Sequence, residues 1–300
     1  MPELAAAAVE EARDPHIAKD YHVARLAARG GMGRVLEARR RFDRRPVAIK
    51  VLHRELVGDD CCRRQIKEEA RVLKLAEHPL VVKLIDHGET AAGQPFLVLE
   101  WLDGRNLKHM IMQDGAVRPE RALGIFCAAL DSLQLCHDRG IVHGDVKPEN
   151  FMVVKNRFGG DAVRLLDFGI STMRREPDAD VDEVYGTPGY LAPELYMAKA
   201  PSVASDIYAA GVCLFEMLTS RSPFLGQTRS ELWKEQVDRP LPEMSPWIDG
   251  ADQEVDALVA RALAVKPGDR FASAKDFKRE FRRVMRRLCA ARETLREERY

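Results

Sequence analysis

No stretch of this sequence is long and apolar enough to suggest a bilayer span. The longest uncharged apolar run in mid-chain, Ile207 to Phe215, has nine residues, whereas a span needs about 20. There is no excess of charge either, since Lys+Arg and Asp+Glu each count 47. That balance gives no support for a chain-wide nucleic-acid-binding surface. The stretch MPELAAAAVEEARD has no basic region and carries acids early, unlike a secretory leader. The six cysteines (61, 62, 127, 136, 213 and 289) form no CxxC and no Cys/His metal spacing. They read as free core thiols of a reducing, cytoplasmic compartment rather than as nucleophiles. Internal repeats and low-complexity runs are also missing. What is present, 300 residues with 46% hydrophobic and 31% charged, suits one large domain or two packed lobes. It excludes global disorder, collagen and a disulfide-stapled mini-domain.

The pattern along the chain changes character near residue 103. Residues 1–20 are Ala- and acid-rich and are expected to be a frayed or helical extension. Val35–Ala38 and Val47–Val51 read as strands around the basic turn Arg39–Arg45, itself expected to be a solvated hairpin tip. Ile66, Ala70, Leu73 and Ala76 predict an amphipathic helix over Cys61–Glu77, ended by Pro79. Leu80–Asp86 and Pro95–Glu100 read as short apolar strands. Beyond Leu102–Arg105, the expected hinge, the pattern is helical: Glu120–Asp138, followed by Gly140, then 205–218, 229–237, 252–264 and Ala274 to about Arg292. The expected class is therefore α+β, with a strand-rich lobe (21–102), a helical lobe (103–283) and a basic helical tail (284–300). Ligand sites favour the cleft of such an arrangement.

Three elements carry chemistry. In Arg29-Gly30-Gly31-Met32-Gly33-Arg34-Val35 the glycines allow backbone amides to approach phosphate oxygens. Alone, such a cluster is more often just a turn. Val47-Ala48-Ile49-Lys50 follows, placing an ammonium 17 residues beyond Gly33, where phosphates would lie. Glu69 on the next helix is the carboxylate chosen to orient it. The bland alternative for Lys50–Glu69 is a surface ion pair worth about 0–1 kcal/mol. The third element is Ile141-Val142-His143-Gly144-Asp145-Val146-Lys147-Pro148-Glu149-Asn150, with Asp167-Phe168-Gly169 beginning 22 residues after Asp145. Phosphoryl transfer needs a group that orients the attacking hydroxyl and oxygen ligands for Mg²⁺. Asp145, Asn150 and Asp167 supply them. Lys147 stands where a cation would stabilise transferred charge.

In this order the motifs resemble those of eukaryotic-type protein kinases, and are most similar to the bacterial serine/threonine kinases. The resemblance runs from about Tyr21 to Arg283 and includes Gly186-Thr187-Pro188-Gly189-Tyr190-Leu191-Ala192-Pro193-Glu194, Asp206-Ile207-Tyr208-Ala209-Ala210-Gly211 and Arg270. It implies a two-lobed kinase fold, ATP with Mg²⁺ (Mn²⁺ as an alternative ion) and a protein Ser/Thr substrate. It also implies a Glu194–Arg270 ion pair, Asp206 bracing the catalytic loop and Thr187 beside Lys147. For the nucleotide it implies Gly30, Gly31 and Gly33 over the phosphates and Lys50 on them. Leu26 and Val35 would form the adenine roof, Ala48 the upper wall and Met152 the floor. Leu99 would be the gatekeeper, Glu100 and Leu102 would pair with the adenine edge through their backbones, and Asp103 would reach the ribose. Such kinases often continue into a membrane span and sensor repeats, so the sequence is expected to be a stand-alone kinase or a trimmed domain.

Two departures matter. Ala28 stands where the family's first loop glycine is usual, which is expected to stiffen the loop. Gly144 replaces the usual Arg before the catalytic Asp, removing the main receiver of an activation-loop phosphate. From Ile170 to Gly186 only Ser171, Thr172 and Tyr185 carry hydroxyls, and the middle is acidic. Activity independent of activation-loop phosphorylation is the expectation. His-Gly-Asp is also frequent in small-molecule kinases of the aminoglycoside or choline phosphotransferase type, which remains the alternative. A pseudokinase scaffold is the third reading. The second half of the basic C-terminal helix is a candidate arm for an acidic partner or membrane surface, with an ordinary solvated face as the favoured reading.

Overall fold

The computed structural model describes residues 13–168 and 186–297. By its contacts the chain divides into two compact units, Met1–Asp103 and Gly104–Tyr300. The sequence-predicted activation segment, including Gly169, Ser171, Thr172 and Tyr185, lies outside the described residues.

The first unit is a five-stranded antiparallel sheet ordered β1-β2-β3-β5-β4, with β1 Tyr21–Arg29, β2 Gly33–Arg40, β3 Pro46–Leu52, β4 Leu84–Glu89 and β5 Pro95–Glu100. The sequence pattern does not show β1, because bulges between Val23 and Arg25 and between Leu26 and Ala28 break its period of two. The strand expected from Leu80 begins only at Leu84: Val81 donates to His78 O at 2.9 Å in a turn, and pairing with β5 starts at Leu84. Of the two expectations for the extension, frayed or helical, residues 15–18 take the helical one. Asp14 caps α1 (Pro15–Ala18), and Ile17, fully buried, joins Leu36, Ile49, Val51 and Val98 in the unit's core. Helix α2 (Asp60–Leu75) starts on the Asp59 side chain, which accepts the amides of Cys61 and Cys62.

The second unit centres on α6 (Val203–Thr219), capped by a Ser202/Ser205 box and buried at every residue from Ser205 to Thr219. Helix α3 (Leu107–Asp114) was not legible in sequence. It has eight residues, too few to establish a period, and rests on the Asn106 cap. Around α6 lie α4 (Pro119–Asp138), α5 (Pro193–Tyr196), α7 (Arg229–Asp238), α8 (Gln253–Ala262) and α9 (Ala274–Glu297). A small sheet β6-β7-β8 (Gly104–Asn106, Phe151–Lys155, Asp161–Leu165) pairs the two strands that follow the catalytic-loop sequence with one that precedes it. Phe277 and Phe281 of α9 pack edge-on against Phe126 of α4, with centroids 5.5 and 4.9 Å away. Helix α9 has no break at 284, because Val284, Met285 and Leu288 continue its buried stripe. No helix among the described residues is long and apolar enough to cross a membrane.

Candidate active site

In the first unit, strand register decides which predicted residues share a face. Val35 pairs with Lys50, and Ala48 with Leu99. Cross-strand partners point to the same side, so Val35, Ala48, Lys50 and Leu99 line one face. Ala28 pairs with Val35 and belongs there. Leu26 does not. It pairs with Leu36 and packs on the opposite, core-facing side, so its predicted place beside Val35 is corrected. The β-bulge that follows Leu26 is the physical cause, since one extra residue inverts the side-chain parity.

The glycine turn closes on itself, Gly30 N donating to Gly33 O at 2.8 Å. A Cβ on Gly33 would stand 2.4 Å from Val51 O, so this glycine is required by the close approach of β3, whereas one on Gly31 would meet open space. His53, just past β3, holds the turn from outside the motif. Its N–H donates to Met32 O at 2.9 Å, and its ring Nε2 contacts Gly30 O at 2.8 Å. Lys50 Nζ donates to both oxygens of Glu69, at 2.9 and 3.0 Å. Glu69 is 2% exposed, so this is a partly buried pair that fixes the ammonium and not a surface ion pair. Glu100 N–H donates to Lys83 O at 2.9 Å. Leu102 and Asp103 follow at the end of the unit.

In the second unit the residues of the HxDxKxxN stretch are held from behind by α6. Asp206, 1% exposed, accepts from His143 N–H at 2.8 Å and Gly144 N–H at 2.9 Å, and its Oδ2 meets His137 Nε2 at 2.8 Å. Gly144 adopts φ 77°, a region that favours glycine. His143 accepts through Nδ1 from Asp145 N–H (3.2 Å), and its Nε2 lies 3.1 Å from Leu166 O. Three side chains then close a ring. Lys147 Nζ donates to Asp145 Oδ2 at 2.6 Å and to Thr187 Oγ1 at 2.7 Å, and Thr187 Oγ1 donates to Asp145 Oδ1 at 2.9 Å.

Asn150 Nδ2 donates to Asp145 O at 2.8 Å, orienting its amide so that the carboxamide oxygen is free to serve as a ligand, and Leu166 N donates to Asn150 O at 2.8 Å. Asp167 follows with φ 43°, and the buried Phe168 lies against the His143 ring, centroids 5.1 Å apart. A carboxamide and a carboxylate brought together by that backbone link form a hard-oxygen donor set, which suits Mg²⁺ or Mn²⁺ completed by phosphate oxygens and water. Among the described residues no group of three or more His, Cys, Asp or Glu could hold a metal by itself. Met152 sits in β7, opposite Asn106.

Glu194 and Arg270 form a buried bidentate pair at 2.7 and 2.7 Å. The guanidinium also donates to Ala204 O, Ala264 O and Val265 O, at 2.8, 2.8 and 3.1 Å, so all its donor groups are engaged. Lys108 carries no motif that would single it out. Its ammonium lies 3.2 Å from both Tyr190 Oη and Glu216 Oε2, and Tyr190 donates to Glu216 at 2.7 Å. Burial, with the Glu216 carboxylate beside it, pushes the Tyr190 hydroxyl far up. All six cysteines are free thiols, and burial pushes Cys136 up to about 12, far from a nucleophile's range.

The family model for the protein kinase domain matches residues 21–281. The chain is 33% identical over 276 residues to the serine/threonine-protein kinase PknB of Mycolicibacterium smegmatis, covering 90% of this chain and 43% of that protein. It is 35% identical over 257 residues to PknH of Mycobacterium bovis, covering 85% and 42%. PknB of Mycobacterium leprae matches at 33% over 276 residues, covering 90% and 44%. The chain thus spans less than half the length of these curated relatives.

Proposed function

The chain belongs to the protein kinase domain family, and on that footing we propose that it transfers the γ-phosphoryl group of ATP to Ser or Thr hydroxyls of a protein substrate. The carrying observation is the closed contact of Lys147 with Asp145 and Thr187. It sets a carboxylate and an ammonium side by side, with the hydroxyl of a peptide-docking segment between them. Asp145 orients the attacking hydroxyl and takes its proton as the new O–P bond forms and the bond to the leaving ADP breaks. Lys147 offsets negative charge on the transferred group. Lys50, oriented by Glu69, holds the α- and β-phosphates, and the turn of Gly30, Gly31 and Gly33 covers them. Val35, Ala48, Leu102 and Met152 provide the apolar walls for the base, and the Glu100 carbonyl and Leu102 amide its polar edge contacts. Asn150 and Asp167 would hold Mg²⁺, or Mn²⁺, which neutralises phosphate charge.

The same reading takes 21–102 and 103–283 as the kinase lobes flanked by an extension and a tail, and the setting as cytoplasmic. Activity does not depend on activation-loop phosphate: Gly144 offers no side chain to receive one, and the loop around it is already fixed by Asp206. The basic row of α9 is best read as a solvated face. Lys278 pairs with Asp131, Arg283 and Arg287 with Glu254, and Arg292 with Glu120, which lowers its value for an acidic partner.

The test incubates the protein and its Asp145→Asn variant with Mg-ATP and a basic protein substrate, and maps phosphate by mass spectrometry. Phosphoserine or phosphothreonine made only by the parent protein is expected. Nucleotide binding without any protein phosphate would overturn the reading and favour a small-molecule substrate or a scaffold.

A further inference from the structure

The end of the β2–β3 hairpin carries Arg39, Arg40, Arg41, Arg44 and Arg45 against one acid, Asp43. Phosphoryl transfer makes no use of it. Asp43 binds the Arg40 guanidinium and lies 3.4 Å from Arg45 Nε. Arg39 Nη1 donates to Arg44 O at 3.2 Å, and Arg41 Nε to Ala18 O at 2.7 Å. Those two acceptors are neutral carbonyls, which fix the guanidiniums without cancelling their charge. The Arg44 side chain has no partner among the described residues. Lys19 and Asp20, beside the turn through the bond from Arg41 N to Asp20 O, offset each other. One carboxylate among five guanidiniums leaves four positive charges on this hairpin end.

At its apex stands Phe42, 99% exposed. Phe158, in the β7–β8 turn, is also exposed, but the Arg157 guanidinium lies 4.6 Å from its ring centre. Phe42 has no ring contact among the described residues, so its ring adds nothing to the packing of the fold. The turn that presents it is tied at several points. Arg44 N donates to Arg40 O and Arg40 N to Arg45 O, both at 3.0 Å, and Arg45 N donates to Asp43 Oδ1 at 3.2 Å. A turn already fixed in this way loses little freedom on binding.

We infer that this tip docks on an anionic lipid surface, with Phe42 entering the boundary between headgroups and acyl chains and the guanidiniums meeting lipid phosphates. Guanidinium forks match phosphate oxygens and carry their charge at any working pH. A lone aromatic on a protruding end needs a medium that parts around it, as a bilayer interface does and a folded protein without a pocket does not. A polynucleotide would satisfy the charges but offers one ring only one stacked base. Gly33 pairs with Leu52 at one end of β2 and Arg39 with Pro46 at the other. The tip is thus about 20 Å from the glycine turn, and the inference does not rest on the phosphoryl-transfer reading. Each Arg near an anionic surface is worth about fivefold in binding, and the aromatic about tenfold. Together they give an association constant on the order of 10³–10⁴ M⁻¹, near that of a single acyl chain, so the contact is reversible.

The experiment sediments the full chain with vesicles of about one-third phosphatidylglycerol in phosphatidylcholine, and with phosphatidylcholine alone. Four forms are compared: the parent protein, Phe42→Ser, Phe42→Trp and Arg44→Asn/Arg45→Gln. All the changed residues are exposed, so each variant is expected to keep the parent Tm. The parent protein is expected to bind only the mixed vesicles, and less as KCl is raised. Phe42→Ser should bind about tenfold more weakly, and the double arginine variant about 25-fold more weakly. Phe42→Trp should bind like the parent protein, and brominated acyl chains should quench it beyond the baseline of the chain's own three tryptophans. Equal binding to phosphatidylcholine alone would overturn the inference. So would parent-like binding by Phe42→Ser or by the double variant, or a Trp at position 42 that brominated chains leave unquenched. Tighter binding to a single-stranded oligonucleotide or an acidic peptide than to the mixed vesicles, lost in the same variants, would assign the tip to that partner and overturn the lipid assignment.

Discussion

The amide of Gly144 donates to Asp206 Oδ1 at 2.9 Å, across 62 residues of sequence. This bond holds the backbone at φ 77° beside Asp145. The glycine that breaks the His-Arg-Asp pattern thus sits where a Cβ is unfavourable, and the loop is fixed by a carboxylate from α6. Gly144→Ala is expected to lower stability by about 1 kcal/mol, read as a fall of a few degrees in Tm. Phosphatase treatment of the parent protein is expected to leave kinase activity unchanged. A phosphatase-treated enzyme that falls silent would refute the idea.

Lys147 and Asp145 touch directly, and the Thr187 hydroxyl bonds to both. Thr187→Ser keeps a hydroxyl between them and is expected to retain most of kcat, while Thr187→Ala should lower it by about 10²-fold, the scale of losing one positioned polar contact. Steady-state kinetics of the two variants on one protein substrate would check this, and equal rates would remove Thr187 from the machinery.

Arg270 is fully buried against Glu194. Arg270→Met leaves the Glu194 carboxylate buried without it, and is expected to cost about 3–5 kcal/mol. The Arg270→Met/Glu194→Leu double variant should recover part of that loss. Urea unfolding of the second unit would show whether the two changes are coupled in this way.

Asp161 governs part of the acid limb. Hydrogen bonds from Arg121 and Lys155 hold its carboxyl down at about 2. A carboxylate whose folded pKa is depressed contributes stability above its unfolded value, near 4, and loses it as pH falls toward 2. Screened by solvent at its exposed partners, the contribution is about 1 kcal/mol. Asp161→Asn is expected to be less stable at pH 7 and to show a shallower loss between pH 4 and 2, as measured by denaturant unfolding at each pH.

Much of the site was legible because its chemistry is local. Gly30–Gly33, Lys50, Asp145, Lys147, Asn150 and Asp167 sit in short motifs whose residue types state their use. The long helices were legible too, since α2 and α4 repeat apolar residues over several turns. Lys108 was not legible, because nothing in its short helix signals a partner at Tyr190 or Glu216. Nor was His53, whose ring holds the glycine turn from a linker outside the motif.

The sequence alone determined which residues could carry phosphoryl-transfer chemistry, in what order, and that a strand-rich half precedes a helical one. Tertiary structure alone decided which of them share a surface. Leu26 left the Lys50 face because a bulge shifts strand parity by one, which no composition reveals. The Asp206 braces, the Glu194–Arg270 pair and the Lys147–Thr187 contact, which the family resemblance implied but no local pattern shows, join residues 40 to 76 positions apart. Contacts at that range come from packing around α6, where burial fixes positions that local sequence leaves open.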